Sequence, residues 1–175
     1  MKPPNAISLD AVLDEAVPFA FELRFSPQAL DREPLLEISR VKVAGEVSRI
    51  EKGFAFDARM DYSGRLECSR CLNPYPFENS EDFSLVLRKR PAPGGEEIAL
   101  RGEELDEYFY DDPVVSVEPI AEERIQMAVP MKPLCREDCR GLCPQCGQDL
   151  NVTACGCVVE NDDPRWEALR VLKKV

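Results

Sequence analysis

The chain has 175 residues, of which 44% are hydrophobic, so it is long enough to bury a core. It contains eight cysteines and no histidine, which excludes histidine-based catalysis and mixed cysteine–histidine zinc sites. The net charge is −11, and eleven acidic side chains against two arginines place most of it in residues 91–125. This acidity argues against tight, non-specific RNA binding, because each neutralised phosphate requires a basic side chain.

The chain lacks a long apolar run. No window approaches the roughly 18 apolar residues that a membrane-spanning helix needs, and the first residues contain no signal-type apolar stretch. We therefore expect a soluble, cytoplasmic protein. In such a reducing compartment, closely spaced cysteines are metal ligands more often than disulfides. The eight cysteines are accordingly predicted to bind metal.

Residues 1–90 are predicted to be mainly antiparallel β structure. Apolar and polar side chains alternate from Phe19 to Phe25, which is the period-two pattern of a half-buried strand. A second run covers residues 35–50, and Lys52 with Gly53 is typical of a hairpin turn into the next strand. The predicted meander spans residues 19–90, with another turn at Ser63 and Gly64, the CSRC sequence at the end of a strand, and a last strand from Asp82 to Arg90.

The regions on either side of this meander are predicted from shorter signals. Residues 1–17 are expected to form a short helix or a docking arm around Leu9, Val12 and Leu13. Residues 91–112 combine turn formers with high charge, which favours an acidic linker or long loop. A helix is predicted from Pro119, with proline in its first turn, and Pro130 stops it.

Residues 113–175 are predicted to hold this helix, a cysteine-rich zinc-binding lobe and a short terminal helix after Pro164. This part is expected to pack with residues 19–90 as one domain. The predicted fold class is α+β, an antiparallel β meander with a helix and a cysteine-rich C-terminal metal-binding segment.

The cysteines fall into four closely spaced pairs, which suits tetrahedral four-thiolate sites. Four pairs can be divided between two sites in three ways. Loop length favours joining the third pair to the fourth, because closing so short a loop costs little entropy. The first two pairs would then form a second site that ties the meander to the C-terminal segment. The pairs, in chain order, are Cys68 and Cys71, Cys135 and Cys139, Cys143 and Cys146, and Cys155 and Cys157.

Two other divisions remain open. One joins the first pair to the third, as in a zinc ribbon, and leaves the second pair with the fourth. The other joins the second pair to the third and leaves the first with the fourth. Two structural zinc ions are the favoured cofactors. The alternatives are iron–sulfur ligation, a redox pair at Cys68 and Cys71, and metal-free thiols or disulfides.

No motif for catalysis accompanies the cysteines. The chain has no nucleophile elbow and no phosphate-binding glycine-rich loop, and it lacks histidine. Paired carboxylates such as Asp111 and Asp112 are typical of a solvated face. The sequence therefore predicts a protein that is not an enzyme.

The segment PMKPLCREDCRGLCPQCGQDLN, followed by a Cys-x-Cys pair and a DPR tripeptide, resembles the YceD family. The upstream LECSRCLNPY is similar to that family's first cysteine pair, and the resemblance covers most of residues 40–175. The family comprises the large ribosomal RNA subunit accumulation proteins. The resemblance implies a non-enzymatic factor in large ribosomal subunit biogenesis, which supports accumulation of large-subunit (23S-type) ribosomal RNA.

The partner is left open between RNA and protein. Contact with large-subunit ribosomal RNA or an assembling particle would use basic side chains, several of which flank the cysteine pairs. In the alternative, the protein is a zinc-stabilised binding module or chaperone that engages a basic ribosomal protein through its acidic segment. Neither alternative involves a membrane or a small-molecule substrate. The candidates for RNA contact are Arg65, Arg70, Arg88, Lys89, Arg90, Arg136 and Arg140.

Overall fold

A computed structural model describes residues 4–31, 33–91 and 106–157. These residues contain eight strands, one 3-10 helix and one α-helix. The strands are β1 (Ala6–Ser8), β2 (Val17–Leu23), β3 (Leu35–Ile38), β4 (Val41–Ile50), β5 (Gly53–Glu67), β6 (Pro74–Lys89), β7 (Glu107–Tyr110) and β8 (Val114–Ser116), the 3-10 helix is Leu9–Ala11, and helix α1 is Glu118–Ala128.

A long hairpin of β5 and β6 organises the larger sheet. The two strands pair antiparallel over almost their whole length. β4 pairs with the first part of β5 and β3 with its last part, so both lie along the same edge of β5. β2 pairs antiparallel with β4, and β7 pairs parallel with β6, which gives the order β2–β4–β5–β6–β7. The predicted antiparallel meander is therefore present, and β7 extends it as a parallel strand.

One face of this sheet is buried and the other is polar. On β5, Phe56 and Met60 are fully buried, whereas Asp57 and Arg59 between them are exposed. Successive residues of a strand point to opposite faces, so this alternation removes one apolar face from water. The same alternation along β4 buries Val41 and Val43 and leaves Lys42 and Ala44 exposed.

Helix α1 contributes to the same core. Ile120, Ala121 and Ile125 belong to the apolar cluster that contains Phe56. The helix has proline in its first turn, as predicted, and it ends two residues before Pro130. The described residues are thus mostly β-sheet with one α-helix, which agrees with the predicted α+β class.

The N-terminal residues form a docking arm. β1 pairs antiparallel with β8 in a separate two-stranded sheet, and the 3-10 helix follows directly. Leu9 and Val12 are buried in the core cluster, whereas Leu13 is 66% exposed. Two of the three predicted anchoring side chains therefore serve as anchors.

The turn predicted at Ser63 and Gly64 is wrong. β5 continues through both residues to Glu67. β3 passes so close to this point that a Cβ at Gly64 would collide with the Glu37 carbonyl oxygen. The register of β3 also shifts between Leu35 and Glu37. The glycine therefore permits a close approach of two strands and does not reverse the chain.

Two strand boundaries also differ from the predictions. β6 begins at Pro74, well before the predicted start at Asp82. The run over residues 35–50 is interrupted after Ile38, where the Ser39 hydroxyl oxygen accepts the Ser63 N–H at 2.9 Å. A side-chain oxygen there takes the place of a backbone acceptor, so the ladder between strands is interrupted.

Two predicted elements lie outside the described residues. The acidic linker falls largely on residues 92–105, although β7 lies in the described end of that segment. The terminal helix falls on residues 158–175. The predicted domain boundaries therefore stay predictions.

No helix in the described part of the chain is both long enough and apolar enough to cross a membrane.

Candidate metal centre

The CSRC sequence forms the loop that joins β5 to β6, as predicted from its place at the end of a strand. Because the two strands pair up to this point, the loop must reverse the chain within a few residues. The Cys68 N–H donates to the Asn73 carbonyl oxygen at 3.1 Å, and the Leu72 N–H donates to the Cys68 carbonyl oxygen at 2.9 Å. Leu72 has a φ of 58°, in the left-handed region that few residues other than glycine adopt.

The loop from Cys143 to Gln148 repeats this turn. The Cys143 N–H donates to the Gln148 carbonyl oxygen at 2.9 Å, and the Gly147 N–H donates to the Cys143 carbonyl oxygen at 2.9 Å. Gly147 has a φ of 72°, and it occupies the same place in the turn as Leu72. The same hydrogen-bonded turn therefore holds both C-x2-C pairs and brings the two sulfurs of each pair within 4.8 Å.

Site A consists of Cys68, Cys71, Cys135 and Cys139, whose four sulfurs lie within 4.8 Å of one another. The Sγ atoms of Cys68 and Cys139 are 3.8 Å apart, as are those of Cys71 and Cys135. Three of the four side chains are at most 3% exposed, and they pack in a small apolar cluster. The loop of the hairpin and the segment after α1 therefore meet in a buried site.

Backbone contacts hold the C-terminal segment against the CSRC loop. The Ser69 N–H donates to the Pro133 carbonyl oxygen at 2.9 Å, and the Leu142 N–H donates to the Arg70 carbonyl oxygen at 3.0 Å. The Arg70 Nη1 donates to the Cys139 carbonyl oxygen at 2.7 Å. Site A thus lies at the point where the sheet and the C-terminal segment are joined.

Site B consists of Cys143, Cys146, Cys155 and Cys157, whose sulfurs also lie within 4.8 Å of one another. Cys143 is buried, Cys146 is exposed and the other two are half-buried. The grouping into sites A and B is the division that loop length favours, and the two alternative divisions are not observed. That these eight residues are metal ligands stays a prediction.

The geometry of the sites fits a tetrahedral metal ion. Four sulfurs at about 2.3 Å from zinc lie about 3.8 Å from one another, and two sulfur pairs of site A have this spacing. A disulfide requires a separation of about 2.05 Å, and all eight cysteines are free thiols. An all-thiolate donor set with tetrahedral spacing suits zinc.

The electrostatics of the thiols follow the same pattern in both sites. Burial raises the pKa of Cys68, but backbone N–H groups, first that of Cys135, outweigh it and lower the pKa to about 6. In site B, the backbone N–H groups of Cys146 and Gln145 lower the pKa of Cys143 to about 6. Each site therefore presents one readily formed thiolate at neutral pH.

In each site, two other thiols have a raised pKa: Cys71 and Cys135 in site A, and Cys155 and Cys157 in site B. Burial and neighbouring thiols raise the pKa of Cys135 to about 12, and the Cys146 thiol and burial raise the pKa of Cys157 to about 12. A second negative charge beside the first is unfavourable without a counter-ion. A divalent cation among the four sulfurs would remove this repulsion, which is a second point of fit to a metal.

A polar network connects the two sites. The Asn73 side-chain amide donates to Asp149 Oδ2 at 2.8 Å, and Asp149 Oδ1 accepts from Asn151 Nδ2 at 2.7 Å. The same Asn151 Nδ2 donates to Cys139 Sγ at 3.4 Å. Asn151 Oδ1 accepts the Arg140 N–H at 2.8 Å. A residue in the loop of site B therefore contacts a sulfur of site A.

The sequence patterns did not identify three residues of this network as part of a functional site: Asn73, Asp149 and Asn151. The one local signal is the spacing of Asp149 and Asn151, because the Asp149 carboxylate accepts the Asn151 N–H at 2.8 Å in an Asx turn. That hydrogen bond lowers the pKa of Asp149. The contact with Cys139 joins residues that share no local pattern, so only the tertiary structure shows it.

The seven basic candidates for RNA contact do not form one surface. Arg88, Lys89 and Arg90 lie at or just beyond the end of β6 that is remote from the cysteine loop. The length of β6 places them roughly 45 Å along the strand from Pro74. Arg70, Arg136 and Arg140 lie beside site A, and Arg65 lies on β5 near the loop.

Five of these seven side chains already have partners among the described residues. Within the same residues, Lys89 and Arg140 make no side-chain ion pair. RNA contact stays a prediction, and these two are the least engaged of its candidates. The partners are Glu37 for Arg65 at 3.9 Å, the Cys139 carbonyl for Arg70 at 2.7 Å, Glu107 for Arg88 at 2.8 Å, Asp111 for Arg90 at 2.9 Å, and Asn151 for Arg136 at 2.8 Å.

The fold and the two sites define a class of protein in which one four-cysteine cluster joins a β meander to a C-terminal segment and a second cluster closes a loop within that segment. The family model described as large ribosomal RNA subunit accumulation protein YceD matches residues 56–173. The chain belongs to the YceD family, as its motifs predict. The match includes all eight cysteines of sites A and B.

Curated relatives share part of the chain. An uncharacterized protein of Mycobacterium bovis and two of Mycobacterium tuberculosis are each 34% identical to it over 104 residues. That alignment covers 59% of this chain and 47% of each relative. The chain therefore spans about half the length of the curated relatives that it matches. No solved structure matches it.

Proposed function

We propose that the protein is a zinc-stabilised, non-enzymatic factor in large ribosomal subunit biogenesis, which supports accumulation of large-subunit ribosomal RNA. Membership of the YceD family is the observation that carries this proposal, because the family model is described by that role. The absence of an open coordination position in a four-thiolate site favours a structural use of the metal.

Zinc is the proposed metal at both sites. Bound to four thiolates, it would contribute folding free energy directly. At site A that free energy would hold the segment after α1 against the β5–β6 hairpin. Elemental analysis of protein purified under reducing conditions tests this, and we expect two zinc ions per chain. One ion per chain would contradict the two-site proposal, and iron with sulfide would contradict zinc.

Depletion of the protein from cells tests the biological role. We expect the ratio of large-subunit to small-subunit ribosomal RNA to fall, and re-expression of this chain to restore it. A variant with Cys68→Ser should restore the ratio poorly if folding of site A is required. An equal loss of both RNAs, or no loss, would contradict the proposed function.

A basic ribosomal protein is a second candidate partner. The intramolecular pairing of five basic side chains favours it, since those groups are less available to phosphates. The segment 91–125 carries eleven acidic side chains and two arginines, which suits a basic surface. Direct contact with ribosomal RNA remains the first candidate, with Lys89 and Arg140 as its strongest residues.

Two variants distinguish the partners. Deletion of residues 96–105 removes four acidic side chains but keeps β7, which pairs with β6. If the partner is protein, this deletion abolishes capture of basic ribosomal proteins and leaves RNA binding unchanged. If the partner is RNA, Lys89→Glu with Arg140→Glu weakens RNA binding and lowers the salt slope by about two.

A further inference from the structure

We propose that Asn151 is a positioning residue that couples the two metal sites, so that metal at site B strengthens metal binding at site A. This inference rests on the proposed metal sites. Asn151 offers no ligand itself, and its chain position lies between Cys146 and Cys155 of site B. Its side-chain amide nevertheless donates to Cys139 Sγ of site A at 3.4 Å.

The orientation of the Asn151 amide is set by its surroundings. Its Oδ1 accepts from the Arg140 N–H and from Arg136 Nη2, each at 2.8 Å. Both of these groups are donors only, so the oxygen must face them and Nδ2 must face Cys139. On that side Asp149 Oδ1 accepts from Nδ2 at 2.7 Å and holds it in place. The donor to the sulfur is therefore preorganised.

The position of Asn151 depends in part on site B. Asp149 to Asn151 are half-buried, but the rest of the loop between Cys146 and Cys155 is exposed, with Val152 at 78%, so apolar packing contributes little to holding it. Hydrogen bonds, including that from the Leu150 N–H to the Gly141 carbonyl oxygen at 2.9 Å, hold its middle. A metal ion at site B would tie both ends of this loop and lower the entropy lost in placing Asn151. Without that ion, only the hydrogen bonds with Arg140, Arg136 and Asp149 would hold the amide against the sulfur, so it would occupy this position less of the time.

At site A, the donated hydrogen bond places a partial positive charge against a sulfur that would carry negative charge as a metal ligand. Groups that donate to metal ligands from outside the coordination sphere tune affinity, typically by about 10- to 100-fold. The Arg140 N–H that Asn151 accepts is also adjacent in sequence to Cys139, so the same side chain fixes the ligand's backbone. Because such coupling is reciprocal, metal at site A would strengthen binding at site B by the same factor.

The test is a zinc titration of the full chain against a competing chelator. A site-B-less variant, Cys155→Ser with Cys157→Ser, identifies the affinity of site A alone. We expect Asn151→Ala to weaken site A by about 10- to 100-fold, and the site-B-less variant to weaken it by a part of that factor. Thr153→Ala is the matched control, because its side chain lies exposed in the same loop and it should leave site A unchanged.

Non-additivity separates coupling from a general loss of structure. In the site-B-less variant, Asn151→Ala should lower the site A affinity by a clearly smaller factor than in the wild-type background, since the amide is then held less firmly. The same factor in both backgrounds would overturn the coupling. In the cobalt-loaded protein, Asn151→Ala should also shift the sulfur-to-cobalt charge-transfer absorption, and an unchanged spectrum would count against contact with the sulfur.

Asn151→Asp keeps the test decisive if the alanine variant folds poorly. The carboxylate can still accept from Arg140 and Arg136, so those two contacts persist, but it loses the donor to Asp149 and places negative charge against the Cys139 sulfur. We expect a larger loss of site A affinity than with alanine. Two bound ions with unchanged site A affinity would overturn the coupling alone. No bound metal at either site would overturn the coupling and the zinc proposal together.

Discussion

Sites A and B are built on the same turn but differ in what the turn joins. Each uses a C-x2-C loop with the same two backbone hydrogen bonds and a left-handed residue after the second cysteine. Site B closes on cysteines a few residues further along the chain. Site A closes between Cys71 and Cys135, which are 64 positions apart, and β6, β7, β8 and helix α1 lie between them.

This difference gives the two sites different structural consequences. By loop length, closing site A costs about 1.7 kcal/mol more entropy than closing site B. Burial accompanies this longer closure, since three cysteines of site A are almost inaccessible while Cys146 of site B is exposed. The same local turn therefore joins distant parts of the chain in site A, whereas in site B it closes only a short loop.

Removal of a site A ligand should have the largest effect. We expect Cys68→Ser to lower the free energy of unfolding by more than about 4 kcal/mol, because it frees the segment after α1 from the hairpin. Urea denaturation and zinc analysis measure this, and one zinc ion should remain per chain. Wild-type and variant should become equally stable in chelator. A stability within about 1 kcal/mol of wild type would contradict the assigned role of site A.

Removal of a site B ligand should have a smaller and more local effect. We expect Cys143→Ser to lower stability by about 1–3 kcal/mol. Hydrogen exchange should show lost amide protection in residues 142–157, with β5 and β6 still protected. Loss of protection throughout the sheet would mean that site B also organises the tertiary structure. Normal folding of this variant without bound metal would contradict a structural role for the metal.

Acidification should affect the two sites alike. In site A the pKa values of Cys71 and Cys135 are raised, so both thiols hold protons at neutral pH that a metal must displace. In site B the pKa values of Cys155 and Cys157 are raised in the same way. Because protons compete, affinity should fall as the pH falls, by at least about 100-fold per pH unit at each site. Competition titrations measure this slope, and a fall of only about tenfold per pH unit, or less, at either site would contradict it.

Exchange of the left-handed residues should have the smallest effect and opposite signs in the two sites. A left-handed conformation costs a residue with a Cβ about 1–2 kcal/mol, partly offset by the greater freedom of glycine in the unfolded chain. Leu72 is 54% exposed, so little packing is lost when it is shortened. We expect Leu72→Gly to stabilise the protein by about 0.5–1 kcal/mol.

The reciprocal substitution is made at Gly147, the left-handed residue of the site B turn. Gly147→Ala adds a Cβ that meets no atom within 4 Å, so only the backbone conformation opposes it. We expect a loss of about 1 kcal/mol, measured by denaturation of the zinc-loaded protein. A loss of stability with Leu72→Gly would show that the Leu72 side chain makes contacts that outweigh its strained backbone.

The sequence predicted the elements whose signals are local. Alternation from Phe19 to Phe25 identified β2, and proline at position 119 identified the start of α1. Loop length favoured the observed grouping of the cysteines. Gly64 was wrongly predicted to lie in a turn. A glycine within a strand pattern marks either a chain reversal or a close approach of another strand, and here β3 approaches closely.

The candidate site shows the same limit. The sequence indicated all eight cysteines, but it did not indicate Asn151, whose contact with Cys139 requires two loops to meet. It also treated Arg70 as available for RNA, whereas the structure uses its guanidinium to hold the Cys139 carbonyl. Contacts of this kind depend on the path of the chain between the partners, and no spacing rule describes that path.

The sequence alone determined the two C-x2-C turns, because hydrogen bonds within six residues and a left-handed position suffice to form each turn. It determined the apolar face of the meander in the same way, through alternation. Only the tertiary structure decided that the CSRC loop meets the segment after α1 and that Asn151 connects the two sites. Those contacts join residues that are 64 and 12 positions apart, and no local pattern in the sequence specifies them.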